Sequence, residues 1–288
     1  MIAVLTEVAT AGKESDMGKF DGVLLCTDLD GTLIRNDRTV SVENRQAIEY
    51  FKSEGGCFTF ITGRMPFFVG DIYEAARPNV AIGCVNGGGV YDYEAQTYLW
   101  QREVPRGFED LLSAVEEAVP SIGMQVNTFY HTYFCKENAV MAAFREITKV
   151  PNLVRGYREI TEPVAKLLFG GDIDELEQVA AVVKGHPFAS QIDWIRTEQY
   201  LLDIVPKGIG KGTALAELVR LLGDRARHTV AVGDYNNDIS MFEVAQVGIA
   251  VANACSAAKE AADRVTVSND EHAIAQIVED LEHHAYGF

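Results

Sequence analysis

Five short apolar runs break up the chain, and each ends in small or polar residues: "GVLLCTD", "CFTFITG", "NVAIGCVNG", "HTVAVGD" and "QVGIAVAN". Helical patterns lie between them, among them "SVENRQAIEYFKSEGG", with Ser41 placed to cap its start and Gly55 to end it, and "KGTALAELVRLLG", ended by Gly223. Continuous apolar strands alternating with helices describe a doubly wound, mostly parallel α/β sheet covered on both faces. The runs fall into two sets, residues 21–89 and 206–288. The stretch 90–205 reads differently. It offers strand-like "MQVNTFYHTYFC", helix-like "NAVMAAFREIT", strand-like "VAKLLFGG", a helix over "DIDELEQVAAVVKG" and then "ASQIDWIRTEQYLLDIV", an α+β pattern with antiparallel strands. One α/β core interrupted by an inserted α+β domain is the expected organisation. Residues 1–20 read as a loose extension, with Met17 an alternative start.

At 288 residues and 48% hydrophobic content the chain can bury a sizeable core. Its net charge of −17 repels polynucleotide phosphates and anionic membranes, so neither nucleic acid nor a membrane is an expected partner. No apolar run approaches the roughly 20 residues of a membrane span. Five cysteines without CxxC spacing, the first three inside apolar runs, suit a reducing cytoplasm. The sequence carries no signal of oligomeric state.

In an open parallel sheet, ligands bind beyond the carboxyl ends of the strands. The residues there are Asp28 and Asp30, Thr62 with Gly63 and Arg64, Asn86 with Gly87, and Asp234 with Asn237 and Asp238. Four carboxylates at one edge repel one another unless a cation sits among them, and a hard divalent ion such as Mg2+ suits all-oxygen ligands. Other readings fail on spacing. An EF-hand from Asp234 meets Ile239 where glycine is needed and Ala245 where glutamate is needed. A P-loop at "KGIGKGT" has Val205 in place of its first glycine, and six histidines without HxxxH or HxH pairing give no zinc site. A carboxylate, a divalent cation, a hydroxyl and a lysine together suit a phosphoryl group. Asp28 can attack it, forming an aspartyl-phosphate, and the turn at Gly31 can bring Asp30 to the leaving oxygen as general acid and base.

These residues resemble the haloacid dehalogenase-like phosphatases, specifically the Cof-type subfamily with a large type IIB cap. The likeness runs from about residue 20 to 280 and rests on four elements in order: "DLDGTL" from Asp28, "TGR" from Thr62, "KG" at Lys211 and "GDYNND" from Gly233. "NGGGVYD" and the closing "ADRVTVSNDEHAIAQIVED" add support, although "EHAIA" stands where the family commonly has a glycine. The resemblance implies Asp28 as nucleophile and Mg2+ ligand, Asp30 as acid/base and as a ligand through its backbone carbonyl, and Asp234 and Asp238 as further metal ligands. It also implies phosphate binding by the Leu29 and Gly63 backbone N–H groups, Thr62, Lys211 and Asn237. Lys207 also precedes a glycine, but Lys211 directly opens the helical run. Arg64 has two readings, a partner for a nearby acid or a substrate contact. Asn127, His131, Arg155, Arg158 and Trp194 are polar cap residues without an assigned role, most of them expected at the surface.

The implied activity is magnesium-dependent hydrolysis of a small phosphorylated metabolite, a sugar phosphate or a phosphorylated cofactor. Two alternatives are a phosphosugar mutase using the same aspartyl-phosphate and a non-enzymatic phosphoaspartate receiver. Against the receiver stand the acid/base Asp30, which shortens the life of a phospho-aspartate, and an insertion as long as a whole receiver domain.

Overall fold

The computed structural model describes residues 18–288; the extension expected over residues 1–17 lies outside the described residues. β1 (Val23–Thr27) leads to α1 (Val42–Ser53) and β2 (Cys57–Phe60), followed by α2 (Gly70–Ala76), β3 (Ile82–Cys84), β4 (Gly89–Asp92) and β5 (Thr97–Gln101). Next come α3 (Phe108–Ala118), β6 (Gly123–Thr128), β7 (Thr132–Lys136), α4 (Ala139–Thr148), β8 (Leu153–Val154), β9 (Val164–Gly170), α5 (Ile173–Gly185), β10 (Ile192–Glu198) and β11 (Leu201–Pro206). The chain ends with α6 (Lys211–Leu222), β12 (His228–Gly233), α7 (Ile239–Val244), β13 (Val247–Ala250), α8 (Ser256–Ala261), β14 (Arg264–Val265) and α9 (Ala273–Glu282).

Five strands form a wholly parallel sheet in the order β14-β13-β12-β1-β2, with β12 at its centre and β1 between β12 and β2. All five β1 residues are buried, because helices cover both faces and leave no side for polar alternation. α1 starts where Ser41 accepts a hydrogen bond from the Asn44 N–H at 3.1 Å, and it buries Ile48 and Phe51 against the sheet. Leu25, Phe58, Phe60 and Ile277 share that core, where truncating any one leucine to alanine costs about 2–5 kcal/mol. Phe20 joins it as well: it is 2% exposed, lies against Phe51, and donates its N–H to the Glu54 carbonyl at 2.9 Å. The last residues of the expected loose extension are therefore part of the core, held by an aromatic anchor.

The inserted cap is built on a six-stranded sheet, β10-β11-β9-β6-β7-β8, antiparallel except for its β7–β8 edge. α3 and α5 cover one face, enclosing a second core with Leu111, Leu176, Val126, Leu167 and Ile204. Asp172 and Glu175 fix the start of α5 by capping each other's backbone N–H at 2.8 Å. Directly opposed residues in antiparallel strands share a face, so the pairings Asn127↔Thr132, Asn127↔Lys166 and Leu168↔Asp203 put Thr132, Asn127, Lys166 and Asp203 on the other side. That polar face meets the core.

Two sequence readings change in detail. "MQVNTFYHTYFC" is two strands, not one, because the Thr128 hydroxyl accepts from the Tyr130 and His131 N–H groups and closes a turn. "NVAIGCVNG" gives β3, which pairs antiparallel with β4 in a three-stranded sheet with β5 and is joined to the parallel sheet by the Ile61↔Gly83 bridge. Left-handed backbone at Val85 and Asn86 ends that strand early. The missing glycine in "EHAIA" also has a structural counterpart: His272 adopts φ 65°, the conformation glycine takes without strain.

Candidate active site

The parallel sheet sets the site at the carboxyl edge of its central strands. The Asp28 N–H donates to the Val232 carbonyl at 2.8 Å, which continues the β1–β12 ladder one residue past β1 and brings Asp28 beside the loop after β12. The chain then turns at Gly31, whose φ is 79°. A Cβ on Gly31 would lie 2.5 Å from Asp234 Oδ2, so only glycine lets this turn approach that carboxylate. The Thr32 hydroxyl donates to Asp234 Oδ1 at 3.1 Å. Leu29 packs its side chain into the core and leaves only its backbone at the site.

Lys211 begins α6 and is 2% exposed, with Nζ 2.5 Å from both Asp28 Oδ1 and Asp238 Oδ1. Asp238 uses its second oxygen to accept the Asp234 and Tyr235 N–H groups at 2.9 Å each. Carboxylate oxygens of Asp28, Asp234 and Asp238 lie within 4.8 Å of one another, the one group among the described residues that could hold a metal ion. Burial, opposed by Lys211 and reinforced by Asp238 and Asp234, pushes the Asp28 carboxyl well above its usual range. Burial and the Asp238 charge likewise push Asp234 up to about 6. Burial draws the Lys211 ammonium down, but the Asp238 and Asp28 charges outweigh it and hold it protonated. One ammonium is thus shared by a cluster of three carboxyl groups.

Thr62 is buried, and its hydroxyl accepts the Arg64 N–H at 3.3 Å. Asn86 links this loop to the one after β12: its N–H donates to the Thr62 carbonyl at 3.1 Å, and its Oδ1 accepts from Asn237 Nδ2 at 3.3 Å. The side chain of Asp30 stands apart from the three clustered carboxylates. It is exposed and held by Arg64, through Nε to Oδ2 at 2.9 Å and Nη2 to Oδ1 at 2.5 Å. Of the two readings of Arg64, the structure shows the acid partner. Lys207 is exposed and pairs with Asp193, away from Asp28.

The cap residues also sort themselves. Asn127 is buried, contrary to a surface reading, bonded to Gln125 Oε1 at 3.1 Å and accepting from the Thr132 hydroxyl at 2.7 Å. His131 lies 3.0 Å from Glu162, Arg155 packs over the Tyr133 ring, Arg158 pairs with Asp110, and Trp194 is exposed. Sequence reasoning set Asn86 at a strand end without a specific role and did not single out Lys166 or Asp203. For the last two a signal existed: each is the only charge in a fully buried strand, β9 or β11, and a lone charge in such a run needs a partner.

Residues 25–278 match the family of haloacid dehalogenase-like hydrolases. The chain is 30% identical over 284 residues to the 5-amino-6-(5-phospho-D-ribitylamino)uracil phosphatase YwtE of Bacillus subtilis (strain 168), covering 89% of this chain and 97% of that one. It is 26% identical over 275 residues to the pyridoxal phosphate phosphatase YbhA of Escherichia coli (strain K12), covering 88% and 97%. A crystal structure of a haloacid dehalogenase-like hydrolase from Bacteroides thetaiotaomicron superposes with a TM-score of 0.78 at 26% identity, over 90% of this chain and 99% of that one. With the parallel core, the inserted cap and a match over most of its length, the chain belongs to the haloacid dehalogenase-like hydrolases as a phosphomonoester hydrolase of the Cof type.

Proposed function

We propose that the protein hydrolyses a small phosphomonoester, a sugar phosphate or a phosphorylated cofactor, through an aspartyl-phosphate at Asp28 with bound Mg2+. The observation that carries this reading is the buried cluster in which Lys211 contacts Asp28 and Asp238 while Asp234 closes the group. Three converging carboxyl groups, each with an oxygen within 4.8 Å of the others, fit the all-oxygen ligand set of a hard divalent cation. Asp28, Asp234 and Asp238 would hold it, with the Asp30 backbone carbonyl. When bound, it would neutralise charge on the transferring phosphoryl oxygens.

The chain's own residues then divide the work. An Asp28 oxygen attacks phosphorus as the bond to the leaving oxygen breaks, and Asp30 gives its proton to that oxygen. Asp30 next takes a proton from water, whose oxygen attacks phosphorus, breaks the bond to Asp28 and releases inorganic phosphate. The Thr62 hydroxyl, the Lys211 ammonium, the Asn237 amide and the Leu29 and Gly63 N–H groups hold the phosphoryl oxygens. The cap, residues 90–205, closes over the site and selects the leaving group.

A separate cleft of about 250 Å³ is lined by Pro66, Phe67, Tyr91, Tyr93, Gln96 and Phe129. Flat rings stack on such walls, and the YwtE relative is named for a uracil derivative. Phosphate release from a panel of phosphorylated metabolites, with and without magnesium, tests the reading. Magnesium-dependent release from one class supports it. Isomer formation in place of release would make the enzyme a mutase, and no turnover at all would refute hydrolysis.

A further inference from the structure

We infer that Lys166 and Asp203 of the cap are positioning residues for the phosphate-binding groups of the core. The inference rests on the phosphate-binding roles proposed above. Lys166 Nζ lies 2.9 Å from Asp203 Oδ2, with both residues buried. An ion pair taken out of water contributes little net stability, so stability alone gives weak reason for it. Its outward contacts are more informative. Lys166 Nζ also donates to the Gly63 carbonyl at 3.1 Å, across the boundary from cap to core. Asp203 Oδ2 accepts from Asn86 Nδ2 at 2.6 Å, across the same boundary.

Each contact fixes a group that the chemistry needs. The bond to Gly63 sets the orientation of the peptide between Gly63 and Arg64, in the loop that carries the Thr62 hydroxyl, the Gly63 N–H and the Arg64 grip on Asp30. That loop is already tight, since a Cβ on Gly63 would lie 2.8 Å from Asn86 Oδ1. The bond from Asn86 sets which way its amide faces. With Nδ2 committed to Asp203, Oδ1 must face Asn237, and Asn237 must meet it with its own NH2 group. One N–H of Asn237 is thereby used and the other is left for a phosphoryl oxygen. Asn86 is held in this arrangement with φ 51° and ψ 35°, a left-handed conformation that asparagine tolerates better than most residues. Burial pushes the Asp203 carboxyl up, and Lys166 and Asn86 oppose it, so the anion depends on the two groups it orients.

The test compares wild type, Asp203→Asn, Lys166→Met and the double variant Lys166→Met/Asp203→Leu. The readouts are kcat, KM, inhibition by inorganic phosphate and Tm, with the exposed Glu177→Gln as a control expected to match wild type. Positioning predicts that Asp203→Asn lowers kcat by about 10- to 100-fold and weakens phosphate inhibition. It also predicts that the double variant, which leaves no unpaired charge, recovers Tm but not kcat. A double variant that recovers both would overturn the inference, because the pair would then be structural only. If wild type turns over phosphomonoesters while the variants match it in kcat and phosphate inhibition, the positioning role alone falls. If wild type turns over none, the underlying phosphatase reading falls.

Discussion

The Arg64 guanidinium occupies both carboxylate oxygens of Asp30, a two-point contact that keeps the side chain turned away from Asp28, Asp234 and Asp238. A carboxylate held this way accepts and does not donate, so the acid role proposed for Asp30 requires it to leave Arg64. On that proposal Arg64 is the resting dock of the Asp30 side chain.

Arg64→Lys keeps the charge but loses the planar fork. The expected result is a fall in kcat of about 10-fold or more with a smaller change in KM, since orientation is lost while the phosphate-binding groups stay. Steady-state kinetics on any accepted phosphomonoester checks it, and an unchanged kcat would mean that the dock has no part in the cycle.

Asp30→Asn is expected to lower kcat by about 100- to 10,000-fold, the usual range for a general acid and base. Hydrolysis of the intermediate should suffer even with an aryl phosphate whose leaving group needs no proton. A burst of phenol followed by slow turnover is the expected trace; a wild-type rate would remove Asp30 from this role.

Lys211→Met takes the ammonium from between Asp28 and Asp238 and leaves two buried carboxyl groups facing each other. Metal-free variant should lose about 3–5 kcal/mol of stability. Added magnesium should raise its Tm more than that of wild type, because the ion replaces part of the missing charge. Calorimetry with and without chelator decides this, and equal shifts in the two proteins would argue against a cation site at these carboxylates.

Glu162 offers a pH test away from the site. It accepts from Thr128 and Tyr133 hydroxyls at 2.6 Å each and lies 3.0 Å from His131 Nδ1. Burial pushes its carboxyl up, but these partners outweigh burial and lower it from the ordinary 4.5 to about 2. A depressed carboxyl stabilises the fold above its unfolded value and loses that stabilisation as pH falls through the folded one. Glu162→Gln should therefore cost about 1–3 kcal/mol near neutral pH, and the gap to wild type should close between pH 4.5 and about 2. A gap independent of pH would point to packing instead.

How far the sequence could be read depends on which residues carry the contact. Asp28, Thr62 and Asp234 are each the first polar group after a buried run, so chain order and the parallel sheet are enough to bring them together. Lys211 was legible from its place at a helix start. The separate courses of Asp28 and Asp30 were not, because they depend on the turn at Gly31 and on the reach of Arg64, 34 residues away. Lys166 and Asp203 were harder still. They lie on strands that pair out of chain order, and Lys166 meets Gly63 at a separation of 103 residues, with no local pattern to mark the contact.

Trapping the covalent intermediate tests the central claim most directly. Asp30→Asn protein mixed with magnesium and an aryl phosphate, quenched in acid and digested, should yield a phosphorylated peptide whose modified residue is Asp28 by mass spectrometry. The same treatment of Asp28→Asn should yield none. A phosphoryl group on any other residue, or release of phosphate by Asp28→Asn at a rate near that of wild type, would contradict the account.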